Sequence, residues 1–183
     1  MNILATPILG LMVAETMPNV DVRGAFGRLY CEQELNALIG HRTIVQINHS
    51  RTANIGAVRG MHFQRYPHAE MKLVRCLKGR VWDVNVDLRH GSPTFLLWHA
   101  EELTPNNGRM MVIPEGFAHG FQVLEPDSEL LYLHTAPYTP SAEDGLRYDD
   151  PRLAITWPLN VTDLSERDAS HPLIDQDFQR LSA

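Results

Sequence analysis

Hydrophobic and polar residues alternate with a period of two along the middle of this chain. The pattern is clearest in VWDVNVDL, residues 81–88, where Trp82, Val84, Val86 and Leu88 interleave with Asp83, Asn85 and Asp87. Successive side chains of a strand point to opposite faces, so this register predicts a half-buried strand with its apolar face on a core. Further apolar, β-branched or alternating runs stand at 43–48 (TIVQIN), 71–77 (MKLVRCL), 94–100 (TFLLWHA), 109–113 (RMMVI) and 129–135 (ELLYLHT). The spacers KGR, HGSP, TPNNG and EPDS are turn signals. Many short strands at this spacing predict an all-β fold, an antiparallel sandwich or jelly roll. The apolar start, MNILATPILGLMVAE, predicts one early strand. CEQELNALIG predicts a short helix that Gly40 stops.

After Pro137 the texture changes to PYTPSAEDGLRYDDPRLAITWPLN, rich in Pro, Asp and Gly with scattered hydrophobes. Such a tail wraps a core that other segments build. No repeat or linker divides the chain, and 183 residues suit one domain over 1–183.

Charge narrows the partners. A net charge of −6 and a pI near 5.8 argue against nucleic acid, which calls for a basic surface. A phosphorylated small molecule then requires a few arginines to converge locally. Cys31 and Cys76 lie far apart with no CxxC spacing, so neither a zinc cluster nor a redox pair is encoded. The apolar start lacks a basic leader, contains Pro7 and Gly10, and is too short to span a bilayer. A cytoplasmic protein without membrane attachment is expected.

Chemistry concentrates in two stretches. GRMMVIPEGFAHGF places Gly108, Pro114, Gly116 and His119 at a spacing that resembles the second signature of the cupin superfamily, where the histidine binds metal. Upstream, Gly56 and five residues lead to His62, as in the first cupin signature. The second histidine slot holds Gln64, however, and Lys72 stands where a glutamate ligand is expected, six residues before Gly79. A protonated amine has no lone pair to offer and repels a divalent ion. The lysine therefore supplies the positive charge that a metal would have supplied, and a fixed cation in a poorly hydrated barrel stabilises an oxyanion. His62, on a neighbouring strand, is a plausible base because imidazole titrates near neutral pH. No metal and no cofactor are expected.

With RGMHFQ, MKLVRCLKG, DVNVDLR, SPTF, IPEGFAHGF and LLY collected, the chain from about Asp21 to Asp168 resembles the dTDP-4-dehydrorhamnose 3,5-epimerase family. The resemblance implies a metal-independent cupin, that is, a double-stranded β-helix jelly roll with a few short helices. It also implies inversion at C3, C5 or both on a nucleotide-linked 4-keto-6-deoxy sugar, and a homodimer that exchanges N-terminal strands. Carried over by motif, the base is His62, its orienting carboxylate is Asp168, the C4-oxygen contact is Lys72, and Tyr132 returns a proton from the opposite face. The diphosphate contacts fall on Arg23 and Arg59, in company with Phe26. Gln46 and Asn48 match polar contacts, His119 a sugar or phosphate contact, Glu143 a nucleoside contact and Tyr138 an aromatic plate for the base. Arg167 stands in the same block as Asp168.

Departures from the pattern bear on selectivity. Arg28 stands where many relatives have glutamate, His134 where they have lysine, Arg167 replaces the commoner lysine, and YPHAEM is not the usual loop before the lysine. Three alternatives remain open at this point. One is a monofunctional 3-epimerase acting on a different nucleotide sugar, and another a noncatalytic sugar-nucleotide-binding cupin. The last is a metal-dependent cupin using His62, His68, Glu70 and His119.

Overall fold

The computed structural model describes residues 1–182 and consists of two antiparallel sheets packed face to face, the all-β jelly roll expected. The first sheet has six strands in the order β1 (Asn2–Ala5), β2 (Met12–Glu15), β10 (Arg109–Ile113), β7 (Lys72–Lys78), β12 (Ser128–His134), β5 (Gln46–Thr52). The second has five: β13 (Glu143–Gly145), β6 (Val58–Gln64), β11 (Phe117–Val123), β8 (Val81–Asp87), β9 (Trp98–Leu103). A separate two-stranded arm is formed by β3 (Asn19–Asp21) and β4 (Gly24–Phe26).

Three apolar layers result. Between the sheets, Val13, Val74, Met111, Ile113 and Leu130 of the first meet Val81, Phe117, Phe121 and Val123 of the second. Outside the first sheet, helix α1 (Glu32–Ile39) lays Leu35 and Ile39 on Leu73, Met110, Val112 and Leu133. Each such fully buried side chain contributes roughly 1.5–3 kcal/mol. Glu32 and Glu34 in its first turn complement the helix dipole, and Gly40, at φ 62°, ends it by donating its N–H to Asn36 O at 2.8 Å. Outside the second sheet, Leu146, Leu153, Ile174 and Leu181 of the tail cover Met61, Phe63, Val84, Val86 and Leu88. The tail thus contributes strand β13 to the second sheet and packs over its outer face.

Several elements differ from the sequence expectation, among them β5, which spans Gln46–Thr52 rather than 43–48. The N-terminal run is a hairpin of two strands rather than one, because the turn around Pro7 and Gly10 reverses the chain. Residues 94–97 form a turn and β9 begins only at Trp98. The largest change concerns β8, which is buried on both faces. Asp83, Asn85 and Asp87 are fully shielded and point to the barrel side, whereas Val84, Val86 and Leu88 face outward beneath the tail. The period of two holds, but the polar face is interior. Among the described residues, no helix is long and apolar enough to cross a membrane.

Candidate active site

A cavity of about 1100 Å³ opens between the sheets. His62 enters it from β6 of the second sheet, while Lys72 and Tyr132 enter from β7 and β12 of the first. Gln46, Asn48, Arg59, His119, Tyr138, Glu143, Arg167 and Asp168 line it too. All the expected site residues converge there except Arg23 and Phe26, which lie on the exposed β3–β4 arm.

Close backbone approach sets His62 in place. It stands opposite His119 across the β6–β11 pair, beside a register shift between His119 and Phe121. At that point a side chain on Gly60 would put its Cβ 2.5 Å from the Gly120 Cα, so the strands can touch only with both residues as glycine. Asp168 arrives on a second local device. Ser165 caps helix α2 (Glu166–Ser170), its hydroxyl accepting the Asp168 N–H at 3.0 Å, which explains the serine three residues before the aspartate. The buried Asp168 carboxylate then accepts from Gly60 N–H at 3.1 Å and from His62 Nε2–H at 2.8 Å. Burial works to raise its pKa, but the His62 hydrogen bond and charge, with the Gly60 N–H, outweigh burial and hold it below the ordinary value.

On the facing sheet, Lys72 lies 3.2 Å from Glu70, with its side chain 13% exposed. Glu70 also accepts from His134 Nδ1–H at 2.7 Å, and Asn48 Nδ2 donates to His134 Nε2 at 3.3 Å. The Tyr132 hydroxyl is 3.3 Å from Ser50 Oγ. Its ring stacks on His134, at 6.1 Å between centroids, and meets His119 edge-on. Burial pushes the phenol well above its usual pKa range, against the smaller opposing effects of Ser50 and Arg59, so at neutral pH Tyr132 is a protonated donor.

The remaining groups divide into an inner and a rim set. His119 is buried, its Nε2–H donating to Asp83 Oδ2 at 2.7 Å, and Asn85 steadies the other Asp83 oxygen at 2.9 Å. At the rim, Glu143 accepts from the Tyr138 hydroxyl at 2.6 Å and from Arg167 at 2.5 Å, while Gln46 accepts the Tyr138 N–H at 3.0 Å. Glu143 is partly buried, which raises its pKa, yet those two donors bring it below the ordinary value. Gln64 ties loops together, bonding His68 O, Pro137 O and Thr139 N–H.

The proposed metal set of His62, His68, Glu70 and His119 does not assemble. His68 turns to Thr139, Glu70 to Lys72 and His134, and His119 to Asp83.

Three residues near the site were given no site role from the sequence, and a fourth, Glu70, entered there only as a metal ligand. Glu70 stands just before β7, and its pairing with Lys72 and His134 appears only in the fold. Asp83 was legible once β8 was known to turn its polar side inward. Ser50 was legible by period two, because it shares a face of β5 with Gln46 and Asn48, whereas His171 carried no signal, since it meets His62 only through long-range packing.

Residues 5–176 match the family model described as dTDP-4-dehydrorhamnose 3,5-epimerase. The chain is 43% identical to the dTDP-4-dehydrorhamnose 3,5-epimerase of Salmonella typhimurium, over 96% of this chain and 97% of that one. It superposes with a TM-score of 0.91 on the dTDP-6-deoxy-D-glucose-3,5-epimerase of Legionella pneumophila, solved with dTDP-4-keto-L-rhamnose. That protein is 40% identical, and the match covers 100% of this chain and 99% of the other. A TM-score of 0.91 is also found with the Bacillus anthracis dTDP-4-dehydrorhamnose 3,5-epimerase holding TDP and PPi, at 36% identity over 94% of this chain and 99% of that one.

Proposed function

Because this chain belongs to the dTDP-4-dehydrorhamnose 3,5-epimerase family, we infer that it is an isomerase that inverts C3 and C5 of a dTDP-linked 4-keto-6-deoxy sugar. The observation that carries the reading is the opposition of His62, paired to Asp168 on one side of the cavity, with Lys72 and Tyr132 on the other.

The chemistry follows from that arrangement. With Nε2–H committed to Asp168, the lone pair of His62 Nδ1 is the base that removes the proton alpha to the C4 ketone. The electron pair moves into the C4 oxygen, and the Lys72 ammonium stabilises the resulting enolate. Tyr132 gives its proton to the same carbon from the other face and so inverts the centre. Arg59 reaches the diphosphate through charge-assisted hydrogen bonds, and the Tyr138 ring, anchored by Glu143 and Gln46, faces the nucleobase, with Asn48, His119 and Arg167 as further contacts.

The same proposal includes a homodimer. Among the described residues, the β3–β4 arm pairs only with itself in sheet hydrogen bonding, and Val20 and Phe26 are 73% and 79% exposed, apolar surface that water does not favour. Docking on a second copy would cover it and bring Arg23 and Phe26 to the partner's cavity. The single domain over 1–183 is supported by the family match over 5–176, and a cytoplasmic location by the unpaired Cys31 and Cys76.

Incubation with dTDP-4-keto-6-deoxyglucose in deuterium oxide tests the reaction by NMR. Deuterium at C3 and C5 with the inverted configuration is the expected product. A substrate recovered without isotope would overturn the assignment, and light scattering in solution that reads a monomer mass would remove the dimer.

A further inference from the structure

His171 takes no part in the chemistry above, yet it is built against the proposed base. Gly145 stands directly across from His62 in the β13–β6 pair. A side chain there would put its Cβ 2.3 Å from His171 Nε2, so the absence of one is what lets the His171 ring sit beside His62. The two imidazoles meet edge to face, at 6.2 Å between centroids. His171 Nε2 is shielded from solvent and has no hydrogen-bond partner among the described residues. An unsatisfied buried nitrogen costs stability, which a bound electrophile would recover.

We propose that His62, Asp168 and His171 form an inhibitory binding site for a divalent transition-metal ion of the zinc type. One ligand atom from each falls within 4.8 Å of the others. Two imidazoles and one carboxylate form a donor set that suits zinc, cobalt or nickel and leaves a position open, whereas calcium and magnesium prefer oxygen alone. Zinc bonds of about 2.0–2.2 Å place tetrahedral ligand atoms roughly 3.3–3.5 Å apart, so the His62–Asp168 pair, at 2.8 Å, has to open slightly and the His171 ring to close by at most about 1.5 Å. Metal entry displaces the proton shared between His62 and Asp168. The cavity that admits the sugar also admits the ion, because His62 lines it. That ligation stops the enzyme rests on the role proposed for His62; that it occurs does not.

Cobalt(II) titrated into the purified chain tests binding through its visible absorption, read without turnover, with epimerisation assayed in parallel. One cobalt per chain is expected, with activity lost on loading and restored by a chelator. His171→Leu should weaken cobalt binding by more than about tenfold, with His171→Gln as the second variant should leucine disturb folding. His49→Ala, at an exposed histidine on β5, should bind as the parent does. No cobalt uptake by the parent, or equal uptake by both His171 variants, overturns the site. Tight binding that leaves activity intact would spare the site and count instead against His62 as the base.

Discussion

The Glu70 carboxylate holds the Lys72 ammonium at 3.2 Å while both side chains are largely shielded from water, 6% and 13% exposed. A buried cation without a counter-charge is costly and drifts toward solvent, so Glu70 fixes where Lys72 points. It acts as a positioning residue, and His134 holds its other oxygen in turn.

Glu70→Gln should therefore lower kcat by roughly 10–100-fold with little change in KM, because misplacement by about 1 Å carries that cost. Steady-state kinetics check this. A rise in KM alone would instead place Glu70 in substrate binding.

Lys72→Met should cost about 10²–10³-fold in kcat, the size of a lost oxyanion donor, and should also slow the exchange of substrate protons with solvent. Lys72→Arg should rescue only partly, because the planar guanidinium does not reproduce a point charge.

Tyr132→Phe separates the two faces. His62 can still remove the proton and return a solvent deuteron to the side it came from, so isotope exchange persists while inversion falls by about 10²–10⁴-fold. Asp168→Asn should impair both together, because the base loses its orienting partner. NMR of the product distinguishes the two patterns.

If the arm completes the partner's cavity, a chain carrying Arg23→Ala and one carrying His62→Asn should complement each other. Each mixed dimer then has one intact site, and random co-assembly restores about a quarter of parental activity. Activity no higher than that of either variant alone would place Arg23 outside the site.

Acid stability should reflect Asp87. Burial alone would raise its pKa, but hydrogen bonds from Arg89, Ser92 and Thr94 overcome it and lower the value from 3.8 to about 2. A depressed carboxyl pKa means the unfolded chain binds the proton more readily. The stability it contributes is thus present above pH 3.8 and is lost as pH falls through about 2. Asp87→Asn should lower Tm at neutral pH, and the gap from the parent should narrow across that window. Its neutral-pH cost is expected to be on the order of 3 kcal/mol, as for breaking a buried ion pair.

Much of this protein could be read along the chain. The alternation in β8, the apolar runs of β7, β10 and β12 and the glycine stop of α1 are local patterns, and local backbone geometry reads them directly. The blocks around His62, Lys72, Tyr132 and Asp168 likewise keep their spacing in linear order, and the Ser165 cap three residues before Asp168 is a device of one helical turn. Tertiary structure decided what covers each face. Period two assigns Asp83, Asn85 and Asp87 to one side of β8, but the tail arriving from residues 146–181 makes the other side the greasier one and turns the acids inward. The same is true of Glu70 bridging Lys72 to His134, 64 positions away, and of His171 filling the space left by Gly145. Such contacts depend on which distant segments the sheets bring together, and a strand's own periodicity holds no record of its future neighbour.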